Sequence, residues 1–294
     1  MDDWEDDIIY ALLHKIKDGS AEYVGGKLTE EEVKRIASSA DNFRDRVFVL
    51  VLYESGCRIG ELLPLRIKNI QFDKYGAVLL INGKTGSRRV RVISSSPALA
   101  KWLDLHPFRN DPNSFIWIDL RNNGKLLSYN AVCKMLRKLA EKAGVKKRIN
   151  PHAFRHARAT HLASKLTEAQ MKELFGWVQS SDMASVYVHL SGRDVDNALL
   201  RLHGLAKERE DKDEVMTLRI CPRRGEKNDP VSNFCKRCVS PLDSKAAIEL
   251  EERVKRKDKV VARVIETLIK RLNLEKTIYD IIKELGVEKE LEEL

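Results

Sequence analysis

The sequence contains no run approaching the roughly 18 uninterrupted apolar residues that cross a bilayer, which excludes a membrane span. Its first seven residues, Met-Asp-Asp-Trp-Glu-Asp-Asp, lack the positive region and apolar stretch of a secretion signal. Cysteine is scarce. Five occur in 294 residues, an odd number without even spacing, which argues for reduced thiols or a metal and against a disulfide scaffold. These absences together point to a cytoplasmic protein.

What is present is an ordinary hydrophobic content of 43% and an excess of base, 53 Lys and Arg against 44 Asp and Glu. The length suffices for one full-sized core and one or two small appendages. A net charge of +9 suggests a polyanionic partner, because each cation docked on a phosphate releases a condensed counterion. Charge alone leaves open a generically basic soluble protein.

Hydrophobic spacing predicts a mainly α chain with a small antiparallel β-sheet. Ile8, Ile9, Leu12, Leu13 and Ile16 form a helical face over residues 4–17, before Gly25-Gly26 breaks the chain. Thr29 and Glu32 read as a capping box opening a helix that carries Val33, Ile36 and Ala37. A largely buried helix follows from Phe43 to Glu54 and stops at Gly56. Ala77–Asn82 and Arg89–Ile93, joined by Gly83-Lys-Thr-Gly-Ser87, read as a hairpin. Phe115–Ile118 is a short strand or a buried extended piece. Helices are predicted at 129–143, 153–164, 167–175, 180–190 and 194–202. Residues 207–214 are all charged and read as a linker or an exposed helix. Beyond a Cys-, Pro- and Gly-punctuated stretch at 221–242, Val261, Val264, Ile265, Leu268, Ile269 and Leu272 form an apolar stripe that implies burial. Ile278, Ile281, Ile282 and Leu285 continue the pattern.

Breaking a DNA phosphodiester without a metal needs planar cations on the non-bridging oxygens, a nucleophile in line with the leaving oxygen, and a proton donor for that oxygen. Candidates for each part lie far apart in this chain. Arg58 sits between glycines in Gly56-Cys-Arg-Ile-Gly60-Glu61-Leu62, and Lys84 sits at the hairpin tip beside Arg88, Arg89 and Arg91. His152 and Arg155 are one helical turn apart in Pro151-His-Ala-Phe-Arg155-His156. Gly176-Trp177 and Tyr187 complete the set. Each has an ordinary reading when taken singly: a surface ion pair for Arg58, a solvated turn for Lys84, a helix cap for His152, core aromatics for Trp177 and Tyr187. His156, Arg158, His161 and His189 read as structural.

In this order and at these intervals, the boxes resemble the catalytic domain of the tyrosine recombinases, the phage-type integrases, over roughly residues 27–205. The strongest single signal is His152-Ala-Phe-Arg155-His-Ala-Arg-Ala-Thr160-His161-Leu162. The run from Val186 to Leu199 is most similar to archaeal plasmid and viral integrases. The resemblance implies the DNA breaking-rejoining fold and site-specific cleavage of double-stranded DNA without metal or ATP. It implies that Arg58 and Arg155 clamp the scissile phosphate, His152 assists proton movement, and Lys84 protonates the 5′-oxygen. Trp177 would buttress the phosphate, and Tyr187 would form a 3′-phosphotyrosyl link. Arg88, Arg89 and Arg91 are expected to contact DNA, and Arg88 or Arg89 could replace Lys84.

The expected organisation is an N-terminal helical extension at 1–26, the catalytic domain at 27–205, a charged linker at 206–220, a ribbon-like module at 221–243 and a helical tail at 244–294. Family members carry a larger clamp domain before the catalytic one, and 26 residues are too few to form it. Cys221-Pro-Arg-Arg224-Gly225 and Cys235-Lys-Arg-Cys238 resemble the two knuckles of a zinc ribbon, with Arg224 in place of a fourth thiol. Cys221, Cys235 and Cys238 are therefore candidates for a structural zinc, the alternative being a decayed ribbon. The family works as tetramers on paired sites, so a homo-oligomer is expected. Two other readings stay open: relaxation of DNA in the manner of a type IB topoisomerase, and a non-catalytic DNA-binding fragment.

Overall fold

The computed structural model describes residues 27–83, 86–121, 124–190, 203 and 216–272. The chain divides into two compact units, Met1–Ser232 and Asn233–Leu294. Among the described residues no helix is long and apolar enough to cross a membrane. The predicted helices at 4–17 and 194–202, the charged stretch at 207–214 and the apolar positions 278–285 lie outside the described residues, as does Lys84.

In the first unit, α1 (Glu30–Ser38) opens on the predicted capping box, with both arms formed between Thr29 and Glu32. Val33, Ile36 and Ala37 are buried, and α1 packs on α2 (Phe43–Ser55). Helix α2 is buried nearly all round, its charged Arg44, Asp45 and Glu54 included, and is the central element of the unit. Asn42 caps its start, and Gly56 ends it in the left-handed conformation at φ 59°. The short α3 (Ile59–Leu62) follows at once.

The predicted hairpin is part of a three-stranded antiparallel meander, β1 (Ile70–Asp73), β2 (Gly76–Gly83) and β3 (Gly86–Val92). Strand β1 was not predicted. Period-two alternation places Val90 and Val92 inward, with Arg88 on the same face, and leaves Arg89 and Arg91 exposed. Helix α4 (Ser96–Leu105) was also not predicted. Its entry is held from a distance by Glu54, whose carboxylate accepts the backbone N–H groups of Ile93, Ser94 and Ser95 and the Ser95 hydroxyl. Residues 115–118 form a buried extended piece, not a ladder strand, with isolated bridges at Phe115 and Ile118.

Helices α5 (Tyr129–Lys142), α6 (Pro151–Ala163), α7 (Glu168–Phe175) and α8 (Met183–Leu190) complete the body. Helix α6 begins two residues earlier than predicted, because Pro151 suits the first helical turn and Asn150 accepts the Ala153 N–H at 2.8 Å. Helix α6 packs on α2 and α8, and α7 packs on α8 and β3. Residues 216–232 belong to this unit too. They carry the two-residue pair β4 (Arg219–Ile220) and β5 (Lys227–Asn228), and an ion pair joins Arg46 to Asp229 at 2.8 Å.

In the second unit, α9 (Ser244–Leu272) opens on Asp243, which accepts the Ala246 N–H at 2.6 Å. Of its predicted apolar stripe, Val261, Val264, Ile265 and Leu268 are about half exposed among the described residues, and Ile269 is partly buried.

Candidate active site

The site is assembled at the C-terminal end of α7. The last carbonyls of a helix have no partner within it and carry its partial negative charge. Here three successive carbonyls each accept an arginine. Leu174 O takes Arg88 Nε at 3.2 Å, Phe175 O takes Arg155 at 2.8 Å, and Gly176 O takes Arg58 at 3.4 Å. Arg155 also donates to Gly56 O at 2.7 Å, which ties the end of α2 to the end of α7. Gly176 adopts φ 61°, and a Cβ there would lie 2.6 Å from the Arg88 guanidinium. Only glycine permits that approach.

Glu61 supplies the counter-charge. Its carboxylate binds Arg88 through both oxygens at 2.8 and 2.7 Å, and it lies 3.5 Å from Arg58. One oxygen also accepts the Arg58 backbone N–H at 2.9 Å. Burial alone would raise the Glu61 carboxyl. The hydrogen bonds and charge of Arg88, with help from Arg155, nevertheless hold it below its ordinary value.

Trp177 closes one side. Its ring stacks between Phe175, at 4.9 Å, and Tyr187, at 5.6 Å and 9°. The Arg155 guanidinium lies 5.5 Å from the Trp177 ring. The Trp177 Nε1 is buried without a hydrogen-bond partner among the described residues. Tyr187 is 4% exposed, and its hydroxyl lies 2.8 Å from His156 Nδ1. His152 is half-buried on the first turn of α6, one turn before His156.

Of the predicted residues, then, Arg58, Arg155 and Trp177 meet at one helix end, and Tyr187 reaches them through the ring stack. The Tyr187 hydroxyl itself meets His156, which sequence reading had treated as structural. Arg88 was expected on DNA. Strand alternation instead turns it inward to Glu61, with its side chain 10% exposed. Arg89 is exposed, and Arg91 is exposed and paired with Asp73 at 2.8 Å. Sequence reasoning gave Glu61 no role, although the spacing from Arg58 matches a capping pair. His156 left no comparable signal, since its partner is 31 residues away.

The three cysteines lie on two similar turns. In the first unit Gly225 N–H donates to Cys221 O at 2.8 Å, Cys221 N–H donates to Glu226 O at 2.9 Å, and Gly225 has φ 65°. In the second unit Val239 N–H donates to Cys235 O at 2.9 Å and Cys235 N–H donates to Ser240 O at 2.8 Å. Val239 has φ 58°, a conformation β-branched residues rarely adopt. The Arg237 N–H also points at the Cys235 sulfur, 3.5 Å away.

Residues 27–193 match the phage integrase family, more than half of the chain. The chain belongs to that family. It is 32% identical over 175 residues to a protein of Pyrococcus horikoshii named tyrosine recombinase XerA, covering 58% of this chain and 59% of that one. A Pyrococcus furiosus protein of the same name is 33% identical over 178 residues, covering 59% and 60%. The chain thus spans about 60% of the length of the curated relatives it matches. A crystal structure of XerA recombinase aligns with a TM-score of 0.50 at 24% identity, covering 64% of this chain and 66% of that one. The fold is therefore the integrase catalytic fold.

Proposed function

We propose that this chain is a site-specific DNA recombinase that cleaves and rejoins double-stranded DNA through a covalent Tyr187–3′-phosphate link. The observation that carries this reading is the gathering of Arg58, Arg155 and a Trp177 N–H unpartnered among the described residues at one helix end, with the Tyr187 ring stacked on the same tryptophan. Two guanidiniums can bind the non-bridging oxygens of one phosphate, and a buried indole N–H gains a hydrogen bond when an oxygen arrives. His152 stands on the helix that carries Arg155, and Lys84 remains the donor assigned to the 5′-oxygen. Arg89 and Arg91, exposed on the outer face of the sheet, would meet the DNA backbone in this reading.

The phosphotyrosyl link conserves the free energy of the broken phosphodiester, so rejoining needs no ATP, and this reading assigns the chemistry to side chains alone. Cys221, Cys235 and Cys238 hold a structural zinc in the same reading, and the partner is a second copy of the chain on paired DNA sites in the cytosol. The matching turns at Cys221 and Cys235, each taken by itself, support the zinc. The exposed stripe of α9 supports the oligomer.

The test is a duplex nicked near the cleavage site, from which the released fragment diffuses away. The chain should accumulate a covalent DNA complex, and Tyr187→Phe should accumulate none. Tight binding with no covalent product from the unaltered chain would leave a non-catalytic DNA-binding protein. Relaxation of any plasmid regardless of sequence would instead mark a topoisomerase.

A further inference from the structure

A phenol is a weak nucleophile until its proton leaves, and a phenol that is 4% exposed has almost no bulk water to receive it. The receiving group must be a neighbour. His156 Nδ1 lies 2.8 Å from the Tyr187 oxygen, with the two rings edge to face at 5.3 Å and 78°. That distance is within the reach of a base from the nucleophile it activates. Trp177 stacks on the Tyr187 ring and holds its plane. His156 follows Arg155 directly on α6, so one rigid helix carries both the phosphate clamp and the contact to the nucleophile. Burial, reinforced by the charges of Lys27 and His152, pushes the imidazole down to about 4. At neutral pH it is uncharged, and a base this weak takes the phenolic proton only as the tyrosine oxygen bonds to phosphorus and becomes acidic.

We propose that His156 is the general base that accepts the phenolic proton of Tyr187 as the tyrosine attacks phosphorus. The inference rests on the reading of Tyr187 as the nucleophile. In the step, the bond from the Tyr187 oxygen to phosphorus forms while the bond from phosphorus to the 5′-oxygen breaks. The phenolic proton passes to His156 Nδ1, and the departing 5′-oxygen takes a separate proton from Lys84. On rejoining, the attacking DNA hydroxyl returns a proton to Lys84, and His156 returns its proton to the leaving phenolate. The reaction is balanced without a co-reactant.

The experiment measures single-turnover covalent trapping on the nicked duplex for the unaltered chain, His156→Gln and His156→Phe. Glutamine keeps a hydrogen-bonding group near Tyr187 but cannot accept a proton. Both variants should trap DNA about 100-fold more slowly at unchanged DNA affinity. A substrate whose 5′-bridging oxygen is replaced by sulfur, which leaves without a proton, should rescue Lys84→Ala and not His156→Gln. Trapping by His156→Gln within about threefold of the unaltered rate would overturn the proposal, as would its rescue by the sulfur substrate. Nitrogen NMR of the unaltered chain gives a check that needs no variant to fold. His156 should carry its proton on Nε2 and none on Nδ1, and a proton found on Nδ1 overturns the assignment. If the unaltered chain traps no DNA, the nucleophile assignment fails first, a result distinct from a chain that cleaves at full rate without His156.

Discussion

Among the described residues Glu61 is the carboxylate bound to Arg88 and adjacent to Arg58, so it balances the charge of these arginines. Glu61→Gln would leave the Arg88 guanidinium buried without its counter-charge. Breaking one side of such a pair costs about 3 kcal/mol, which urea unfolding would register. An unchanged midpoint would show that the pair contributes nothing. The same residues explain what could be read in advance. Arg58, Arg155 and Trp177 were visible because each stands in a short local box. Arg88 was misplaced because its direction follows from the strand register, Ile81 opposite Arg88, and not from its composition-level role as a hairpin cation. His156 was passed over because a histidine's partner cannot be read when it lies two helices away.

At the scale of elements, local chemistry was legible and remote chemistry was not. The box at Thr29 and Glu32 and the stop at Gly56 depend on neighbours three residues apart or on one φ angle, and both stand in the structure. Helix α4 begins in Ser94-Ser-Ser-Pro97, which reads as a loop until Glu54, some forty residues earlier, supplies the acceptor. Gly56→Ala tests how tightly α2 and α7 are joined. Its φ is left-handed, and the added Cβ would lie 2.5 Å from a Phe175 ring carbon. A loss of about 1–3 kcal/mol is expected in chemical unfolding, from backbone strain and overpacking together. The cysteine turns yield a separate expectation. Purified chain should carry close to one zinc per molecule by elemental analysis, and thiol-blocking reagents should release it. Metal-free protein with undiminished thermal stability would count against the zinc.

For the molecule as a whole, several histidines titrate in the same direction. His156, His161 and His106 are all held below their ordinary value of 6.5 by burial, His156 down to about 4. The unfolded chain therefore binds these protons first as the solution is acidified. Stability is full above about pH 6.5 and declines as pH falls towards 4, with His156 alone accounting for on the order of 3 kcal/mol. Calorimetric melting temperatures should fall steadily across that window, and a level profile from pH 7 to about 4.5 would contradict the assignment. The basic surplus adds a separate expectation, a DNA affinity that weakens linearly on logarithmic axes as salt is raised, measured by filter binding.

Arg58 and Arg155 are already engaged by peptide oxygens at the end of α7 before any nucleic acid arrives. In the proposed reading, docking a DNA phosphate there would exchange one set of acceptors for another, with the cations oriented in advance by the helix. Any change that frays the last turn of α7 should weaken the grip on the phosphate without touching a residue that contacts it.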